Sequence, residues 1–239
     1  MRPAFIALLT LVLGGCVPTT PQPVAAAPVA SPEQAAVRAA ARAAALTFVQ
    51  VITTVEPVAE AICRKRGVAR NCNFRIVVDD RPDQPPNAFQ TVDDNGRPII
   101  GFTLSLIADA RNADELAFVL GHEAAHHIAG HIPRQRKEAI SGALLAGMAA
   151  RSSGLSEAAV KAAQNRGAEV AVRGYSREFE LEADALGAEI ALIAGFDPIR
   201  GAGFFDRLPE PGNRFLGSHP PNAQRKAVVV ATVRRLKAS

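Results

Sequence analysis

The residues with the clearest chemical potential lie together. Four of the five histidines fall between positions 122 and 131. Within that stretch, His122-Glu123-Ala124-Ala125-His126 has the spacing His-Glu-x-x-His. Residues four apart on a helix share a face, so the two imidazoles project side by side from one rigid element. Two such imidazoles are part of what a catalytic zinc needs, and the adjacent glutamate is placed to act on a water at the metal. With the five His and thirteen Glu of this chain, composition alone predicts roughly 0.006 such matches. The motif is therefore specific by itself, against the plain alternative of a buried helix that happens to carry histidines.

A catalytic zinc takes three protein ligands and keeps one position open. His131 is near, but the metzincin spacing asks for its third histidine where Ile132 stands and for a glycine where Ala129 stands. His131 is one residue off, so that reading fails. His127 projects about 100° away from His126 on the helix and reads as a structural histidine or one that supports a ligand from behind. A better ligand lies in Tyr175-Ser176-Arg177-Glu178-Phe179-Glu180-Leu181-Glu182-Ala183-Asp184. This segment is expected to open a long helix ending near Gly195 and Pro198, with Phe179, Ala183, Leu186, Ile190 and Ile193 as its apolar stripe. Glu178, Glu182 and Glu189 fall on a strip that reads as solvated. Glu180 and Asp184 lie one turn apart on another face, lined by the small Gly187 and Ala191. Small residues there let a second helix come close. Periodicity thus picks Glu180 as the third ligand, with Asp184 placed to orient a histidine through its free ring nitrogen.

The elements that must position these residues follow from the rest of the chain. Ser31-Pro32-Glu33-Gln34 is a helix start, with Ser as cap and Gln at the capping-box position. An Ala-rich helix is expected to about Gln50, and a second short helix from Pro57 to about Arg66. Phe74 to Val78 is β-branched and reads as a strand. Asn87 to Val92 and Pro98 to Thr103 read as two more, the last pair joined by an Asp94-Asn95-Gly96 turn. Asn112 and Glu115 open the motif helix. Its apolar residues Leu116, Val119, Leu120, Ala125 and Ile128 run almost all the way round, so it is expected to be central and buried. Residues 139 to 150 form an uncharged Ala/Gly/Leu run, read as a packed helix or a surface that meets a partner or lipid. Another helix is expected from Ser156 to about Arg173. The fold class is α+β, mainly helical, with a small sheet beside the motif helix.

The chain has 239 residues and a formal charge of +4. Basic residues are scattered and lack interleaved aromatics, so nucleic acid is not an expected partner. Arg2 precedes an apolar run from Pro3 to Leu13, too short to span a bilayer and suited to a signal peptide. The run ends in Leu13-Gly14-Gly15-Cys16, which resembles the bacterial lipobox. This reading makes 1–15 a lipoprotein signal peptide, Cys16 the lipidated residue, 16–30 a Pro/Ala-rich tether and 31–239 one domain. Val17 after the cysteine favours the outer membrane. No run after the signal peptide reads as long enough to cross a bilayer. Export leaves Cys63 and Cys72 in an oxidising compartment, where they are expected to pair.

His122-Glu123-x-x-His126 followed by Ser176-Arg177-x-x-Glu180-x-x-x-Asp184 resembles the HtpX-type and CAAX-prenyl-protease-type zinc metallopeptidases. Ser218-His219-Pro220 is similar to a later motif of that family, Arg225 to a downstream arginine, and Asn87-Ala88-Phe89 to the strand before the active helix. The likeness covers roughly residues 60 to 230 and is greatest to the short, lipid-anchored bacterial branch. It implies a zincin-like metalloendopeptidase domain with one zinc per chain, held by His122, His126 and Glu180, and with Glu123 as general base. It further implies that His219 sits near the metal, stabilising an oxyanion or capping the resting site, and that Asp184 and Arg225 support the ligands from behind. Unfolded or misassembled envelope proteins are the expected substrates, with the membrane engaged through the lipid anchor; oligomeric state stays open. Two other classes compete: a zinc-containing chaperone or assembly factor for outer-membrane proteins, and a structural lipoprotein without metal.

Overall fold

A computed structural model describes residues 31–210 and 220–238. Cys16, the expected signal peptide and tether around it, and His219 lie outside the described residues. Helix α1, Pro32–Arg66, opens as expected: Ser31 Oγ accepts from the Gln34 amide at 3.2 Å, and Gln34 Oε1 accepts from the Ser31 amide at 3.1 Å. It closes on Gly67 at φ 65, a left-handed position that glycine takes without strain.

The expected break at Pro57 does not occur; α1 is one helix through it. A proline inside a helix costs about 3 kcal/mol. Against this, Phe48, Val51, Val55, Ala59 and Cys63 form one buried stripe on both sides of Pro57. Each large member contributes about 1.5–3 kcal/mol by burial, so the stripe outweighs the proline. A second correction concerns length. Because α1 is continuous, it contains an 18-residue window of mean hydropathy 1.4 that is only 11% buried. By length and composition alone it is long and apolar enough to cross a membrane, contrary to the sequence reading. Its C-terminal half is committed to the core.

The three strands form at nearly the expected positions: β1 Arg75–Asp79, β2 Ala88–Val92 and β3 Pro98–Thr103. Their order is β1-β3-β2, with β1 parallel and β2 antiparallel to β3. The central strand buries Ile100 and Phe102, and the Phe102 ring meets Phe48 of α1 edge-on at 5.0 Å. The Cys63–Cys72 disulfide ties the end of α1 to the approach to β1.

After the short α2 (Leu104–Asp109), α3 (Ala113–Ile128) carries the His-Glu-x-x-His motif. Asn112 caps it, accepting from the Glu115 amide at 3.1 Å. Leu116, Val119, Leu120, Ala125 and Ile128 are all buried, as an all-round apolar helix requires. At Gly130, φ 66, the chain turns and α4 (His131–Ser152) starts at once. Helix α4 packs on α5 (Glu157–Ile193) through small residues: a Cβ on Gly142 would lie 2.6 Å from Ala171 Cβ and clash with the Gly167 carbonyl. Its larger apolar residues Ile140, Leu144, Leu145 and Met148 face outward. The run at 139–150 is thus packed by its small residues and exposed by its large ones.

Two expected helices, Ser156 to Arg173 and one opening at Tyr175, are a single α5. Gly174 inside it costs only about 1 kcal/mol, too little to break a helix packed on both sides of that point. Phe179, Ala183, Leu186 and Ile190 form the buried stripe, but Ile193 is 58% exposed where the helix runs out of partners. The close approach foreseen from Gly187 is real, and its partner is Gly121 of α3. A Cβ on Gly187 would lie 2.7 Å from the His122 amide nitrogen and 2.9 Å from its Cα. Backbone atoms cannot yield, so Gly187→Ala is expected to force α3 and α5 apart. Overpacking of this kind costs about 1–3 kcal/mol, a fall of several degrees in thermal midpoint that circular dichroism will measure. Helix α6 (Pro198–Gly201), a 3-10 segment (Ala202–Arg207) and α7 (Asn222–Lys237) complete the described chain.

Candidate metal centre

Three elements meet at the motif. Helix α3 supplies His122, Glu123 and His126, α5 supplies Glu180 and Asp184, and α7 supplies Arg225. His122 Nε2 and His126 Nε2 are 3.0 Å apart. Glu180 Oε1 lies 3.4 Å from His126 Nε2, and Glu180 Oε2 lies 3.8 Å from His122 Nε2. Tetrahedral coordination with bonds of about 2.0–2.1 Å separates its ligand atoms by about 3.3 Å. The three donors bracket that spacing, and all lie within 4.8 Å of one another.

The proton positions favour a cation there. His122 Nδ1 is 2.9 Å from Asp184 Oδ1, so the ring donates from Nδ1 and its Nε2 lone pair faces Glu180. Asp184 is fully buried and is gripped by Arg225, whose Nε and one terminal nitrogen each donate to it at 2.7 Å. A terminal nitrogen of Arg225 is also 3.2 Å from Glu180 Oε2, and the guanidinium sits 4.1 Å from the Phe205 ring centroid. Burial resists charge on His122, yet Asp184, Glu180 and Glu123 outweigh it and raise the proton affinity of the ring. The same field favours a metal cation. Burial likewise resists charge on Asp184, but hydrogen bonds from His122 and Arg225 hold its carboxyl below the usual range. The donor set fits a metal ion, and Asp184 and Arg225 fix one of its histidines.

Glu123 lines the same cleft of about 210 Å3 as His126 and Glu180. Burial pushes its carboxyl up; His122, His126 and Arg225 pull it down, and Glu180 adds to the rise. A carboxylate with raised proton affinity suits a base that must hold a proton briefly. Gln90 of β2, Ile132 and Gln135 of α4 and Phe179 of α5 also line the cleft.

Other expected residues are placed as follows. His127 is turned away from the donors: its Nε2 is 2.6 Å from the Asn71 carbonyl, and its ring meets Phe74 edge-on. Glu189 pairs with Arg66, and Glu182 accepts from Arg134 at 2.6 Å and from His131 at 3.1 Å. The strip read as solvated is therefore partly engaged in contacts between helices. His131 contributes no donor to the cluster, but its Nδ1 lies 2.8 Å from His126 Nδ1. The sequence reading weighed His131 only as a metal ligand at metzincin spacing, so it missed this contact behind His126. The signal was Gly130, a residue suited to stopping a helix in the left-handed conformation and turning the next one back.

The profile of Peptidase family M48 matches residues 45–233. The chain belongs to this family. As an M48 peptidase it places the His-Glu-x-x-His helix and Glu180 together as one candidate metal site. The chain is also 29% identical over 168 residues to a putative beta-barrel assembly-enhancing protease of Vibrio cholerae serotype O1. That match covers 63% of this chain and 34% of the relative, so it spans about a third of that protein's length.

His131 adds a pH dependence to this M48 site. Its ring is pushed down to about 4, chiefly by burial, with the His126 and Arg134 charges helping and Glu182 opposing. The unfolded ring titrates near 6.5, so the unfolded chain binds more protons between those values. The stability of the neutral ring is complete above about pH 6.5 and is lost as pH falls towards 4. Metal-free wild type is expected to lose more stability than His131→Asn between pH 7 and 4. Urea unfolding of both proteins at several pH values checks this.

Proposed function

We propose that the chain is a zinc-dependent metalloendopeptidase of the bacterial cell envelope that acts on misfolded or misassembled envelope proteins. The observation that carries the reading is the juxtaposition of His122, His126 and Glu180, from two helices held by a glycine contact, with Glu123 in the same cleft. Membership of peptidase family M48 supports peptide hydrolysis. The likeness to a putative beta-barrel assembly-enhancing protease supports an envelope role. We further propose residues 31–239 as one metallopeptidase domain and Cys16 as an outer-membrane lipid anchor.

A bound zinc supplies Lewis acidity towards a water and the scissile carbonyl. His122, His126 and Glu180 would hold it. Asp184 keeps the His122 proton on Nδ1 and so keeps Nε2 available. Glu123 accepts the proton of the attacking water and returns it to the leaving amine. Strand β2 is an edge of the sheet, and its Gln90 lines the cleft. An extended substrate adding to this edge would pass in front of Glu123. On the family resemblance, His219 would stabilise the oxyanion or cap the metal in a resting state.

The test is cleavage of an outer-membrane β-barrel protein, presented unfolded and folded, by zinc-loaded wild type. Cleavage of the unfolded form and sparing of the folded form support the proposal. Binding of the unfolded form without any cleavage favours the chaperone reading instead.

A further inference from the structure

The two candidate histidine ligands are supported differently. Behind His122 stands a carboxylate, Asp184, backed by Arg225. Behind His126, among the described residues, the direct neighbour is a third histidine and not a carboxylate. His126 Nδ1 is 2.8 Å from His131 Nδ1, His131 Nε2 is 3.1 Å from Glu182 Oε2, and Arg134 donates to that same oxygen at 2.6 Å. His131 is only 4% exposed, and its ring stacks on Phe179 at 4.6 Å and 11°.

We propose that His131 is a positioning residue for His126, accepting the His126 Nδ1 proton and donating its own Nε2 proton to Glu182. The inference rests on the reading of His126 as a zinc ligand. The directions follow from the chemistry of imidazole. A ring that offers Nε2 to a metal carries its proton on Nδ1 and donates from there. Its partner must accept, so His131 Nδ1 holds a lone pair and the His131 proton is on Nε2. That proton points at a carboxylate, which accepts only, and Arg134, which donates only, holds the carboxylate. Every link has one donor and one acceptor. Each ligand histidine is thus fixed by a chain ending in a carboxylate and an arginine, one link long at His122 and two links long at His126. The longer chain runs along the first turn of α4, so the start of α4 and α5 together set the orientation of the His126 ring. Glu182, on the outer side of α5, belongs to the metal site through this relay.

The test measures zinc affinity by chelator competition, together with the thermal midpoint of the metal-free protein. His131→Leu fills the space without an acceptor, whereas His131→Asn keeps a side-chain acceptor at the δ position facing His126. His131→Leu is expected to weaken zinc binding about 10–100-fold, and His131→Asn to stay within about threefold of wild type. Rescue by Asn is what a merely packed ring would not show. Wild-type affinity in His131→Leu, or equal losses in both variants, overturns the proposal. Glu182→Ala sits at an exposed position and leaves the core intact. A several-fold weaker affinity supports the outer link, and an unchanged one overturns the relay. Failure of the underlying reading is distinct: there, wild type itself binds no zinc, or His126→Ala binds as tightly as wild type.

Discussion

Glu123→Gln is expected to abolish peptide hydrolysis while leaving metal binding intact. The amide occupies the volume of the carboxylate but cannot accept a proton from water at neutral pH. A positioned general base contributes about 10²–10⁴-fold, so the turnover number is expected to fall by about 10³-fold or more, roughly 4 kcal/mol of barrier. His122, His126 and Glu180 are untouched by the change, so zinc stoichiometry and affinity stay near wild type. On the proposed strand addition, substrate binding along β2 would involve other residues, so KM is expected to move little. Turnover by Glu123→Gln within a few-fold of wild type would remove Glu123 from the mechanism.

Glu180→Ala is expected to produce the complementary pattern, loss of metal first and of activity as a consequence. As the proposed third ligand, Glu180 would supply the anionic donor and bring α5 into a site that α3 only half builds. Losing a supporting partner behind a ligand costs about 10–100-fold in affinity, and losing the ligand itself is expected to exceed that range. The fold is expected to survive, because Glu180 lines a cleft and the α3–α5 contact rests on Gly121 and Gly187. Equilibrium dialysis followed by metal analysis reads the result directly. Full zinc occupancy in Glu180→Ala at micromolar free zinc would mean that another residue is the third ligand.

Much of this arrangement is legible in the sequence because its signals are local and periodic. His122 and His126 share a helix face by spacing alone. Glu180 separates from Glu178 and Glu182 by its angle, and Gly187 announces the close approach. The three strands follow from β-branched runs and one Asp-Asn-Gly turn. What escapes is set by competition over distance. The α1 stripe overrides Pro57, and α4 lying along α5 overrides Gly174; neither partner is visible in a local window. His131 is misread for a related reason. The metzincin spacing, one residue off, excludes it as a ligand and suggests no other role, whereas the turn at Gly130 brings its ring to His126 from behind. Glu182 is read as solvated because its partners, His131 and Arg134, belong to another helix.

Metal dependence tests the central claim most directly. The protein is stripped with chelator, shown metal-free, and titrated with zinc while hydrolysis of an unfolded substrate and bound zinc are followed together. The account predicts no hydrolysis without metal, and activity rising in proportion to bound zinc until one ion per chain is reached. Undiminished hydrolysis by the metal-free protein, or tight binding of one zinc with no return of activity, would contradict it.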